Sequence, residues 1–347
     1  MATPETQQLD AVIANSRRRM LTLGGAALAG LAFTSIASAQ TSTLTDADYL
    51  NFALNLEYLE ANFYTLAATG QTIDQVGVGI SGTVGTQGTV ATKTGGPTAC
   101  KVNFQNTLVA NYATEIAREE RNHVTFLRNA LMTAAVAQPA IDLVNSFNGL
   151  AKLLPGLSLT GFDPFADDAS FLLGSYIFED VGVTAYTGAA PALTVSGNLD
   201  AAAGIQGVEA YHAGLIRTVL FGLDQTPNNI AGAGLTQAPA GTLRAVASSI
   251  SKLRASVDGA NSVTSTRAQG DDIGLGTQQV MLNGTSNLTA TTLVDATTTS
   301  NINAAGSTGT AGSMVFARTA AQVLAIVYAG GSGKGGFFPA GLNGNVK

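Results

Sequence analysis

Apolar residues Leu50, Ala53, Leu54, Leu56, Phe63 and Leu66 recur at helical spacing over 46–68, and Thr45 with Asp48 supplies a capping start. This pattern predicts a first helix. Residues 70–98 break it: they are rich in Gly, Thr and Val with almost no charge, which predicts a loop or short hairpin between helices. Helical periodicity returns over 103–136 and is expected to end at Pro139. A linker containing Pro155, Gly156, Gly161 and Pro164 leads to a third predicted helix at 167–188. Asn198 or Asp200 then caps a fourth that runs to Leu223. Beyond it the pattern predicts a helix at 240–257, an irregular surface excursion of about fifty Thr, Ser, Asn, Gly and Ala-rich residues, and a final apolar helix at 315–328.

Composition narrows the possible partners. The chain has 347 residues, 46% hydrophobic and 12% charged, with a formal net charge of −6. A nucleic acid or anionic membrane surface would require a concentrated basic face, and none is evident. The single Cys100 excludes a disulfide framework and cysteine-rich metal sites, and reads as a buried small hydrophobe.

At the N-terminus, Arg17-Arg18-Arg19 precedes an apolar run from Leu21 to Ile36 and then Ala37-Ser38-Ala39. A basic region, a short apolar region and an A-x-A site predict a cleaved twin-arginine signal over 1–39. An uncleaved membrane anchor is the alternative. Cleavage leaves an exported protein with no membrane segment, arranged as a four-helix unit over 42–224 and a C-terminal extension over 225–347. The extension reads as decoration on that unit.

The two histidines carry the chemical information. His123 follows Glu120 by three residues and His212 follows Glu209 by three. Three residues turn a helix by about 300°, so each pair shares a face and can reach a common metal ion. With eight Glu in the whole chain, coincidence is a poor account of both offsets. The other two helices carry Glu57 with Tyr64, and Glu179 with Tyr186, each seven residues apart on nearly the same face. Each Tyr is expected to support the site from behind the ligands. A Glu-x6-Tyr helix followed by a Glu-x-x-His helix therefore occurs twice, as a pseudo-twofold four-helix bundle requires.

Four converging carboxylates repel one another and raise each other's pKa values unless cations neutralise them. Two divalent ions do so, and oxygen-rich ligation with one imidazole per metal suits iron or manganese. The competing explanation is ordinary helix-face charges and packed histidines, which fits one pair better than a doubled pattern.

The chain resembles the ferritin-like superfamily, in the branch of desiccation-related ferritin-like proteins. The resemblance rests on Ala53-Leu54-Asn55-Leu56-Glu57-Tyr58-Leu59-Glu60, the Glu-x-x-His around His123, residues 321–328 and residues 336–344. It implies an all-α ferritin-like bundle with a carboxylate-bridged di-metal centre. Glu57, Glu120, His123, Glu179, Glu209 and His212 match its ligand pattern, with Glu57 and Glu179 as single-metal carboxylates, Glu120 and Glu209 as bridges and one His closing each metal.

Several positions stay open at this level. Glu60 lies one turn from Glu57 and is either the alternative ligand or a supporting residue, and the position matching it on the third helix is Gly182. Glu115 and Glu119 read as solvated charges paired with Arg118 and Arg121. Asp180 points about 100° away from Glu179. Two functions fit: a di-iron or di-manganese oxidoreductase that oxidises Fe(II) or removes peroxide, or a non-catalytic desiccation, stress or structural protein. A storage cage fits less well because the long insertions add bulk. The expected partner is a metal ion or small molecule, with a homo-oligomer possible.

Overall fold

The computed structural model describes residues 44–258 and 314–347, with residues 272, 274–275, 277–282, 285–291 and 298–299 between them. The expected signal segment 1–39 lies outside the described residues. The fold is mainly helical, as the periodicity predicts.

Helix α1, Asp46–Thr69, begins on the capping box of Thr45 and Asp48 and stops at Gly70, whose φ of 74° ends the helical path. After strand β1, Val90–Ala91, comes α2, Thr107–Leu131, capped by Asn106, whose side chain accepts from the amides of Leu108 and Val109. The periodic pattern extends to 136, yet α2 stops at Leu131. Tertiary hydrogen bonds explain the shortfall. Asn51 of α1 donates to the Ala134 carbonyl and accepts from the Val136 amide, both at 2.9 Å, so this stretch finds its partners outside the helix.

Strand β2, Ile141–Asp142, pairs in parallel with β1, so the Gly/Thr-rich segment lies along residues 136–142 and forms no hairpin of its own. Its glycines allow this approach: a Cβ on Gly88 would stand 2.2 Å from the Ala140 nitrogen. Helix α3, Asn145–Ala151, is short and lies between the second and third predicted helices. It carries Phe147 against Phe63 of α1 and Phe337 of the C-terminal tail, with ring centroids 5.7 and 5.1 Å apart. Each such buried aromatic contributes about 1.5–3 kcal/mol by leaving water.

Helix α4, Asp168–Ala189, is capped by Asp167. Helix α5, Ser196–Leu223, starts after Val195 without a side-chain cap, so neither Asn198 nor Asp200 plays the expected role. In the bundle α1 packs along α2 and α4 along α5. A bulged hairpin of β3, Asn228–Ile230, and β4, Leu235–Ala238, leads into α6, Thr242–Val257.

The expected irregular excursion contains strands: β5, Thr277–Leu282, pairs antiparallel with β6, Thr285–Thr291, and β7, Thr298–Thr299, with β8, Met314–Val315. The β-branched Val280 of β5 and the three Thr of β6 suit extended backbone. The last helix, α7, is Ala320–Val327 on a Thr319–Gln322 capping box, shorter at its start than the apolar run suggests because Met314 and Val315 pair as a strand. No described helix is long and apolar enough to cross a membrane.

A buried ion network ties the C-terminal segments to α4. Arg254 of α6 contacts Asp180 and Asp272 at 2.7 Å, Arg318 contacts Asp272 at 2.7 Å and Asp258 at 2.8 Å, and Arg217 of α5 meets Asp180 at 3.2 Å. Asp180 thus turns away from the Glu179 face, as its 100° offset predicts, into a charge cluster that sequence inspection does not reveal.

Candidate metal centre

Glu57 on α1, Glu120 and His123 on α2, Glu179 on α4 and Glu209 and His212 on α5 converge in the bundle interior, and all six are buried. Their ligand atoms form two overlapping groups, Glu57–Glu120–His123–Glu209 and Glu120–Glu179–Glu209–His212. Glu120 and Glu209 belong to both. Around His123, Nδ1 lies 3.2 Å from Glu57 Oε2, 3.4 Å from Glu120 Oε2 and 3.4 Å from Glu209 Oε1. Around His212, Nδ1 lies 3.0 Å from Glu120 Oε1 and 3.4 Å from Glu179 Oε2. The imidazole rings face across the site with centroids 6.5 Å apart.

The tyrosines close the outside of this arrangement, each across the bundle from its own helix. The Tyr64 hydroxyl donates to Glu179 Oε1, and the Tyr186 hydroxyl donates to Glu57 Oε1. Each acidic side chain so held keeps Oε2 turned toward a histidine Nδ1. Burial and the adjoining carboxylates push both phenol pKa values well up, which keeps the hydroxyl protons available.

Desolvation and mutual repulsion dominate the electrostatics. Burial pushes Glu57 up to about 7, with the His123 imidazole pulling the other way. Glu179 is raised by burial, and Glu209 well raised by burial and by Glu120. Glu120 is the exception: burial opposes ionisation, but His123 and His212 together hold it below the usual carboxylate range. Burial alone would lower both imidazoles. Glu57 and Glu120 outweigh it at His123, and Glu179 and Glu120 at His212, which is pushed up to about 12. Without cations, then, protons hold this cluster together.

The donor set fits a metal site. Both oxygens of Glu120, both of Glu209, Oε2 of Glu179 and Nδ1 of His212 are buried with no hydrogen-bond partner among the described residues. Such groups normally cost about 1–3 kcal/mol each when unsatisfied, and here they point at one another. Spacings of 3.0–3.4 Å between donors are those of atoms sharing an ion at about 2.0–2.2 Å. Carboxylates and imidazoles without thiolate suit hard or borderline ions better than soft ones.

Gly182 belongs to the same construction. A Cβ there would lie 2.2 Å from Glu209 Oε2, so α4 needs glycine where the Glu209 carboxylate passes. Glu60 is buried yet belongs to neither ligand group; it lines an apolar pocket together with Ala53, Leu56, Glu57, Gly182 and Tyr186. Burial and the neighbouring carboxylates push its pKa well up.

Glu119 was expected to be a solvated charge. It does meet Arg118 at 3.2 Å, but its Oε2 also lies 2.8 Å from Nε2 of His212. Arg121, its other expected partner, instead donates to Thr65 Oγ1. Nothing in the local pattern of α2 signals the His212 contact, because the imidazole arrives from α5. Glu115 sits farther out, accepting a long hydrogen bond of 3.4 Å from Tyr211. Cys100 is buried beside the Lys93 amide, and burial raises its thiol pKa.

A ferritin-like domain model matches residues 45–222. The desiccation-related protein PCC13-62 of Craterostigma plantagineum is 31% identical over 181 residues, which cover 51% of this chain and 53% of that protein. Ferritin-like catalase Nec2 of Nesocodon mauritianus is 30% identical over 181 residues, covering the same shares. The chain therefore matches about half the length of these curated relatives. No solved structure matches it. The matched segment spans the four helices that carry the centre, and the chain belongs to the ferritin-like family.

Proposed function

We propose that this protein is an exported di-metal oxidoreductase that removes hydrogen peroxide, converting two molecules to two of water and one of dioxygen. The observation that carries the proposal is the pair of overlapping ligand groups sharing Glu120 and Glu209. Iron or manganese held by these residues would supply the two-electron exchange that this reaction needs.

The chain's own residues have definable tasks. Glu120 and Glu209 would hold both ions and Glu57 and Glu179 one each, while Tyr186 and Tyr64 hold those outer carboxylates in orientation. The apolar pocket carries Glu57, Glu60 and Tyr186 in its lining. Peroxide or dioxygen fits this space. Glu60, with its carboxyl proton retained, is placed to hydrogen-bond a small molecule in the pocket. The name of the catalase relative supports peroxide as substrate.

A non-catalytic desiccation or stress role is the second reading, favoured by the name of the other relative. Elemental analysis of protein purified without chelator, with dioxygen evolution on peroxide addition and Fe(II) oxidation assayed beside it, decides between them. Two iron or manganese ions with peroxide turnover, both lost in Glu120→Ala/Glu209→Ala, support the enzyme. Turnover of Fe(II) alone moves the assignment to iron oxidation. Two metals without turnover support the non-catalytic role, and no metal overturns the centre. Export through the twin-arginine route belongs to the same proposal, and mass analysis of secreted protein should find a chain starting at Gln40.

A further inference from the structure

The two halves of the centre are built on one pattern, and they differ at one position that contacts a histidine. Aligning Glu120 with Glu209 and His123 with His212 places Glu119 opposite Val208. Glu119 Oε2 lies 2.8 Å from Nε2 of His212, whereas Nε2 of His123 meets no hydrogen-bond acceptor among the described residues. His212 is fully enclosed, and the His123 side chain keeps 10% of its surface exposed.

This difference has consequences for metal binding. A carboxylate on the outer nitrogen holds the proton there and leaves the inner Nδ1 lone pair facing Glu120 and Glu179. It also fixes the ring plane and adds negative charge behind the ligand, which increases its basicity. His123 has no such support: valine at 208 offers no side-chain acceptor. Glu120 and Glu209 belong to both ligand groups. Glu57 and Glu179 are each held by one tyrosine in the same way.

We infer that Glu119 is a positioning residue that makes the two metal positions unequal, the one closed by His212 and Glu179 binding its ion more tightly than the one closed by His123 and Glu57. The inference rests on the di-metal reading and specifies how the centre fills. The tighter position takes the first ion, and the second ion exchanges with the surroundings more readily.

The test starts from Mn(II)-loaded full-length protein, from which metal is withdrawn by stepwise addition of a competing chelator. In the wild type the two ions are expected to leave in two steps, at least about 10-fold apart in affinity, with half the metal lost in each. Glu119→Leu should weaken the tighter step by about 10–100-fold and merge it with the weaker one. Glu119→Gln, which keeps an acceptor but removes the charge, should fall between. Val208→Glu should also merge the steps, by strengthening the weaker one, and this gain cannot arise from misfolding. A wild-type protein that releases both ions in a single step, or an unchanged tight step in Glu119→Leu with native circular dichroism, overturns the inference and leaves the metal centre standing. A wild-type protein that binds no Mn(II), iron or other divalent ion overturns the di-metal reading and this inference with it.

Discussion

Tyr64 of α1 donates its hydroxyl proton to Glu179 of α4, and not to Glu57 two turns away on its own helix. Tyr186 of α4 returns the contact to Glu57. The two singly placed carboxylates are therefore oriented by each other's helices, so the geometry of each half of the centre depends on the packing of α1 against α4.

Removing one of these hydroxyls should be felt at the metal first. Tyr64→Phe leaves Glu179 Oε1 buried without its donor, which costs about 1–3 kcal/mol of stability. Metal affinity is expected to fall about 10–100-fold at the position that Glu179 completes. Tyr186→Phe should do the same through Glu57. Thermal unfolding and metal competition measured on each variant check this, and equal affinities in variant and wild type would remove the tyrosines from the account.

Gly182→Ala separates helix propensity from site geometry. In an exposed helix interior this change stabilises by about 0.8–1.0 kcal/mol. Here the new Cβ would stand 2.2 Å from Glu209 Oε2, so the bridging carboxylate must move. Loss of metal from a variant that remains helical by circular dichroism is the expected result. Full metal retention would show that Glu209 has another place to go.

The ion network around Asp180 and Asp272 predicts a large stability effect far from the metals. Arg254 donates to both oxygens of Asp272 and to Asp180 within a buried cluster. Arg254→Met leaves those carboxylates short of their main counter-charge and should cost about 3–5 kcal/mol. The denaturant midpoint should drop without a change in metal content per folded molecule.

Stability of the metal-free protein should fall as pH rises. Glu57 is pushed from its ordinary value of 4.5 up to about 7, so its share is fully present below 4.5 and lost by 7. His212 is pushed from 6.5 up to about 12, so its share is present below 6.5 and drains away above it. Both act in the same direction. Metal affinity should run the opposite way, because the ions displace the same protons. Melting temperatures across pH 5–9, with and without Mn(II), test both signs at once.

The four long helices, the two Glu-x-x-His pairs and the positions of Glu57 and Glu179 are readable along the chain because each depends on local helical geometry. A residue three or seven positions away in an α-helix has a defined direction whatever the helix packs against. Even the 100° offset of Asp180 follows from this rule.

What the tertiary structure alone decided concerns groups that meet from different helices. The Tyr64–Glu179 and Tyr186–Glu57 exchange, the contact of Glu119 with His212, and the gathering of Asp180, Arg254, Asp272 and Arg318 all depend on interhelical distance and side-chain rotamer. No short-range pattern encodes these. The early end of α2 has the same origin: Asn51 binds the backbone at 134 and 136 from another helix and outweighs the local preference to continue. Which residues form the helices and their inward acids was thus set by local periodicity. How those acids are held, and the reach of Glu119 to His212, were set by packing.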